Sequence, residues 1–186
     1  MKVEEVIKHL KERIDKYKVI AFDGRCASGK STAAAELERA GYALIHTDDF
    51  FLPASLRTTK RLKAPGGNFH FELFIDEVII PLKNNQDISY GIFDCSKMDI
   101  IAYKCIKKGT PIIVEGAYAL HPTLGNYYDE AYFFDISKKE QLRRLEARSP
   151  ERLDAFIKKW IPMEEQYIKH YKINKLEGLV TFADKL

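Results

Sequence analysis

The chain has 186 residues, an apolar fraction of 46% and a formal charge of +3, which fits one domain over 1–186 with room for a small lid. The mild basic excess excludes a dedicated nucleic-acid binder, which carries a stronger basic stripe, yet suits an anionic ligand. No apolar run is long enough to span a bilayer, residues 1–7 are too polar for a secretory signal, and three cysteines without paired spacing predict a reduced, cytoplasmic protein.

Val3, Val6, Ile7, Leu10 and Ile14 recur at helical spacing, which predicts an amphipathic helix over 2–16. A core strand over 18–23 follows. Next comes Gly24-Arg25-Cys26-Ala27-Ser28-Gly29-Lys30-Ser31, which fits the phosphate-loop pattern G-x-x-x-x-G-K-[ST] without mismatch. Thr32 opens a run of strong helix formers. A strand feeding a glycine-rich turn and then a helix aims backbone N–H groups and the positive helix end at a phosphate chain. Gly24, Ala27, Ser28, Gly29, Lys30, Ser31 and Thr32 are therefore the expected nucleotide cradle. Lys30 is expected on the β- and γ-phosphates and Ser31 on Mg²⁺. Cys26 reads as a small residue tolerated in the loop rather than a nucleophile.

Residues 42–46 read as a second strand, followed directly by Thr47-Asp48-Asp49-Phe50-Phe51. Parallel sheets place ligands at the carboxyl ends of their strands, so these acids should face the phosphate loop. A carboxylate here, Asp48 ahead of Asp49, is expected either to accept a proton from an attacking hydroxyl or to hold Mg²⁺, with a helix cap or solvated turn as the plain alternative. Residues 52–68 form a long basic loop, 71–83 a helix, and 88–93 with 100–105 a peripheral hairpin. The apolar run 111–114 predicts a strand buried on both faces. It ends at Glu115, an acid suited to an indirect Mg²⁺ contact through water. A further strand spans 131–135, helices span 137–148 and 151–171 with an interruption near Pro162, and a last strand covers 178–182. Arg144 and Arg148 share one helix face, where like charges call for an anion such as a triphosphate; the alternative is a solvated face partnered by Glu140, Glu146 and Glu151. Strands alternating with helices predict an α/β three-layer domain around a parallel sheet.

Several segments together resemble a known family. They are the phosphate loop, Asp48-Asp49-Phe50-Phe51-Leu52, Arg57-Thr58, Arg61-Leu62, Pro65-Gly66-Gly67-Asn68 and Tyr90-Gly91-Ile92-Phe93-Asp94-Cys95. Val114-Glu115-Gly116-Ala117-Tyr118, Gln141-Leu142-Arg143-Arg144-Leu145 and Trp160-Ile161-Pro162-Met163-Glu164 continue the series. In this order they resemble the uridine kinase and phosphoribulokinase family, in particular its short bacterial uridine-kinase-like members. The resemblance implies a P-loop fold with a helical lid near 143–153. It implies Mg²⁺-dependent transfer of the γ-phosphoryl group of ATP or GTP to a hydroxyl, typically the 5′-hydroxyl of a nucleoside such as uridine or cytidine. Asp48 matches the family's base. Asp49, Phe50, Arg57, Asn68, His70 and Glu72 fall in the acceptor-binding segments, and a homo-oligomer is compatible with the family. The chain departs from the pattern at His70, where an acid that holds sugar hydroxyls is usual. Pantothenate, nicotinamide riboside or a sugar phosphate are therefore rival acceptors. An NTP-hydrolysing switch or a binding protein derived from a kinase are rivals of another class.

Overall fold

The computed structural model describes residues 3–12 and 18–184. Helix α1 (Val3–Lys11) begins the chain, while residues 2 and 13–16 of the expected helix lie outside the described residues. Strands β1 (Val19–Gly24), β2 (Ala43–His46), β5 (Ile112–Glu115), β6 (Glu130–Ile136) and β7 (Val180–Asp184) form one sheet in the order β2-β5-β1-β6-β7. Every pairing in it is parallel. Alternate residues of its central strands feed two separate cores. Ile20, Phe22 and Ile113 pack with Leu10 of α1 and with Ala33, Ala34 and Leu37 of α2 (Lys30–Arg39). Val19, Ala21, Ile112 and Val114 pack on the opposite face against Phe74, Val78, Tyr167 and Ile168. Burial on both faces is why these strands read as unbroken apolar runs. The result is the three-layer parallel α/β architecture expected from the alternation of elements.

Strands β3 (Ile88–Asp94) and β4 (Asp99–Ile106) pair antiparallel as a separate hairpin. Its inner residue Tyr90 is fully buried under the short 3₁₀ turn Thr47–Phe50 that follows β2. Residues 52–68, expected as an open loop, instead contain a 3₁₀ turn at Ala54–Leu56 and helix α3 (Thr59–Lys63). Thr58 caps α3 by accepting from the Arg61 N–H. Arg61 then ties the segment down, donating to the carbonyls of Gly67 and Phe69 and forking onto Glu72.

Two helical stretches share one irregularity. Helices α4 (Phe71–Phe74) and α5 (Ile80–Lys83) are joined through a π turn at Ile75–Ile79. After α6 (Lys138–Arg148) and a 3₁₀ turn, α7 (Leu153–Ala155) and α8 (Ile161–Tyr171) are joined through a π turn at Phe156–Trp160. Each π turn ends two residues before a proline, Pro81 or Pro162. Proline lacks an N–H and collides with the carbonyl four residues back; a widened turn moves that carbonyl aside and lets the helix continue. The expected interruption near Pro162 is therefore a wide turn and not a break.

Candidate functional site

The loop between β1 and α2 has little conformational choice. Gly24 has φ +132°, and a Cβ there would lie 2.1 Å from the Phe134 carbonyl oxygen of the neighbouring strand β6. That same carbonyl accepts from the Arg25 N–H at 3.1 Å. Gly29 precedes α2 in the left-handed conformation and offers no side-chain cap, and the first N–H groups of a helix have no partners from its own turns. Below the loop, Asp23 accepts from the N–H groups of Gly24 and Leu120 and from the Tyr167 hydroxyl. Complete burial pushes its carboxyl up despite those donors. This buried acid joins β1, the segment after β5, and α8 beneath the loop.

Lys30 is only 7% exposed, and its ammonium folds back onto the carbonyls of Gly24 at 2.8 Å and Arg25 at 2.9 Å. Ser28 Oγ is buried and has no hydrogen-bond partner among the described residues. A cleft of about 270 Å³ opens over the loop, lined by Ala27, Ser28, Gly29, Lys30, Ser31, Thr32, Arg144 and Arg148. The structure thus brings together the loop residues and two arginines of α6. Glu140 orders this arginine face, accepting from both Arg143 and Arg144, and Arg144 also reaches the Ala27 carbonyl at 3.2 Å.

Next to the cleft, Ser31 Oγ lies 3.2 Å from a carboxylate oxygen of Glu115 at the end of β5. His46, at the end of β2, places Nδ1 2.6 Å from the same carboxylate. The two strand ends approach closely because Gly116 has φ +138° and lacks a Cβ, which would otherwise sit 2.0 Å from Thr47 Oγ1. Thr47 in turn donates to the Ala117 carbonyl. Burial alone would raise the Glu115 carboxyl, but the His46 hydrogen bond, the Lys30 charge and the Ser31 hydroxyl carry it below its usual range. Asp48 opens onto solvent but is crowded by protein. Loss of hydration first, and the Glu115 charge second, push its carboxyl up. Asp49 is raised as well, chiefly by burial.

The donor atoms here are hard oxygens. Among the described residues no three His, Cys, Asp or Glu side chains form a ready-made metal cage. A hydroxyl and a carboxylate with room for further oxygens suit Mg²⁺, which keeps several waters and takes phosphate oxygens as ligands. The unpartnered Ser28 hydroxyl and the open helix end likewise suit a phosphate chain.

The acceptor candidates are placed less uniformly. Phe50 is fully buried among Phe69, Phe74 and Tyr90. This corrects its expected place at a ligand: it is a core side chain at the end of the turn Thr47–Phe50. His70 caps α4, its Nδ1 accepting from the Leu73 N–H at 3.1 Å. Glu72 is taken up by the Arg61 fork, and Arg57 Nε bonds the Leu52 carbonyl at 2.7 Å. Asn68 keeps a buried Oδ1 with no partner among the described residues, beside Tyr118. Tyr118 itself has φ +76°, an uncommon conformation for an aromatic residue.

Sequence reasoning missed His46 and the grip of two helices on the loop. Gln141 donates to the Cys26 carbonyl at 3.1 Å, Glu165 accepts from the Arg25 guanidinium, and Glu164 accepts from the Cys26 N–H at 2.9 Å. Burial, reinforced by the Glu164 charge, pushes the Cys26 thiol up to about 12, so it stays protonated and inert.

No family model matches the chain. Among solved structures, one described as a possible uridine kinase from Bacillus stearothermophilus superposes with a TM-score of 0.68 at 15% identity, covering 97% of this chain and 100% of that one. TT1252 from Thermus thermophilus aligns over 90% of this chain and 88% of that one, with a TM-score of 0.44 and 19% identity. Deoxyadenosine kinase from M. mycoides, solved with bound dATP, aligns over 90% of this chain and 92% of that one, with a TM-score of 0.40 and 16% identity. At 15% identity, the likeness to the first is one of fold, and it extends over 97% of this chain and the whole of that one.

Proposed function

We propose that this chain, with the fold of that possible uridine kinase, is a small-molecule kinase acting through a single unit over 1–186. Its donor is ATP or GTP with Mg²⁺, and its acceptor is a hydroxyl, favoured as the 5′-hydroxyl of a nucleoside such as uridine or cytidine. The observation that carries this reading is the cleft that unites the loop 27–32 with Arg144 and Arg148, next to the Asp48, Glu115 and Lys30 cluster.

Phosphoryl transfer asks a protein mainly for positioning and charge neutralisation. The N–H groups at the start of α2 and the Ser28 hydroxyl cradle the donor phosphates. Lys30 exchanges its two loop carbonyls for phosphate oxygens. Ser31, and Glu115 through water, would hold Mg²⁺, which would supply positive charge to offset that on the transferred group. Asp48 takes the proton of the acceptor hydroxyl as that oxygen bonds the terminal phosphorus and the bond to the leaving diphosphate breaks. Its raised carboxyl makes it a better proton acceptor than an ordinary aspartate. Arg144 and Arg148 close over the phosphates and exclude water. Asn68, with its unpartnered oxygen, Asp49 and His70 border the acceptor, while Arg57 and Glu72 act through the segment they brace.

The test is a panel of nucleosides, vitamins and sugar phosphates incubated with ATP and Mg²⁺ and scored by product mass. A mass gain of one phosphoryl group, lost in Lys30→Ala at unchanged melting temperature, supports the reading. Turnover that survives Lys30→Ala overturns it.

A further inference from the structure

Most of the side chains that grip the phosphate loop from outside hold parts of it that a phosphate does not use. Gln141 and Arg144 bond the carbonyls of Cys26 and Ala27, and Glu165 bonds the Arg25 side chain. Glu164 is different. Its Oε2 takes a backbone N–H of the loop, that of Cys26, at 2.9 Å. Backbone N–H groups are the donors with which such loops bind phosphate oxygens. The Glu164 side chain is buried, at 9% exposure, and burial pushes its carboxyl up while the nearby Lys30 ammonium and the Cys26 N–H favour its charged form. A carboxylate oxygen on a loop N–H near that lysine occupies the kind of donor that phosphate oxygens use.

We propose that Glu164 stands in for the terminal phosphate in the nucleotide-free protein and must withdraw before a triphosphate can bind; this rests on the donor-site reading above. The carboxylate is thus a specificity-determining group of the donor site, setting how strongly triphosphate is preferred over diphosphate. The open N–H groups at the start of α2 serve the inner phosphates. The Cys26 N–H lies four residues earlier, on the limb of the loop that faces α8, and only a longer phosphate chain competes for it. Two anions cannot share one donor in a buried site without strong repulsion. The route for withdrawal is built in: Glu164 follows the π turn 156–160 by one helical turn, and wide turns are the weak joints of helices. Because Glu165 and Gln166 on the same helix bond Arg25 and the Lys63 carbonyl, displacement of Glu164 also tugs on the loop and on α3.

The experiment is calorimetric titration of the full chain with Mg²⁺-ATP and Mg²⁺-ADP, in wild type, E164A, E164Q and Lys30→Ala. E164A is expected to bind ATP on the order of tenfold more tightly, the scale of one charge-assisted hydrogen bond, with ADP affinity within about twofold of wild type. E164Q keeps an acceptor for the N–H but loses the charge, so it should show a smaller gain in the same direction. It carries the test alone if E164A fails to fold. Equal changes for ATP and ADP, or selectively weaker ATP binding, overturn the assignment of Glu164. Absence of nucleotide binding in wild type, or binding that Lys30→Ala leaves unchanged, overturns the donor-site reading itself.

Discussion

His46 Nδ1 stands 2.6 Å from Glu115 Oε1, and the same carboxylate receives the Ser31 hydroxyl, so one hydrogen-bonded chain links the start of α2 to the ends of β5 and β2. The histidine is held above its ordinary value, first by that hydrogen bond and against its burial. The carboxyl is held below its own, because the same bond and the Lys30 charge outweigh burial. A raised histidine stabilises the fold fully below its unfolded value of about 6.5 and loses that as pH rises through its folded value. A lowered carboxyl stabilises above about 4.5 and loses that as pH falls through its folded value. The pair therefore contributes most between about pH 4.5 and 6.5 and fades on the alkaline side. Without divalent cations, the melting-temperature gap between wild type and His46→Gln should be widest in that window and narrow towards about pH 9. A gap that does not change with pH would mean that packing, not charge, joins the two residues.

Asp48 and Asp49 are adjacent in sequence but differ in setting. Both are crowded by Glu115 and compensated by His46, but Asp48 is also compensated by Lys30 of the loop, whereas Asp49 is compensated by Lys104 and the Tyr90 hydroxyl. Asp48→Asn keeps the shape and removes the proton acceptor, so kcat should fall by roughly 10²–10⁴-fold with donor KM little changed. Asp49→Asn should cost far less. A crippled Asp49→Asn beside a mild Asp48→Asn would exchange their roles.

Arg144 and Arg148 line the cleft, but only Arg144 also bonds Glu140 and the Ala27 carbonyl. Arg148→Ala should therefore raise the donor KM or lower kcat at an unchanged melting temperature. Arg144→Ala should do the same and also lower the melting temperature, because it releases a loop contact. Stability losses without any kinetic effect in either variant would make this a solvated helix face.

The features legible in the sequence are those whose cause is local. The phosphate loop is eight consecutive residues, and the central strands announce themselves because two cores claim their alternate residues. Glu164 and His46 are not legible in this way. Their partners lie 138 and 69 residues away, and no spacing rule joins a helix acid to a loop N–H at that distance. Phe50 misled because Asp-Asp-Phe-Phe reads as one motif, whereas a tight 3₁₀ turn leaves Asp48 exposed, within the influence of Glu115 and Lys30, and sends Phe50 into the core. Helix α3 was hidden by its basic composition: its stability comes from the Thr58 cap and from the bonds of Arg61, which also lies 3.8 Å over the Phe71 ring.

His70 bears on the choice of acceptor. Its Nδ1 is committed to the Leu73 N–H, so Nε2 is the only polar ring atom left to meet a ligand, and it is a donor in that tautomer. A ribose presents two vicinal hydroxyls that ask for acceptors. Aspartate at this position has two carboxylate oxygens, one able to cap α4 and the other free to accept from a hydroxyl. It is also a preferred capping residue. His70→Asp should therefore keep the melting temperature of wild type, while His70→Ala should lose about 1 kcal/mol with the cap. With the fold preserved, His70→Asp should phosphorylate uridine or cytidine better than wild type, because sites that bond a hydroxyl discriminate strongly. Kinetic assays of both nucleosides against wild type and the two variants decide the matter. Efficient uridine phosphorylation by wild type with no gain in His70→Asp would make the histidine a cap alone and leave Asn68 and Asp49 to hold the sugar.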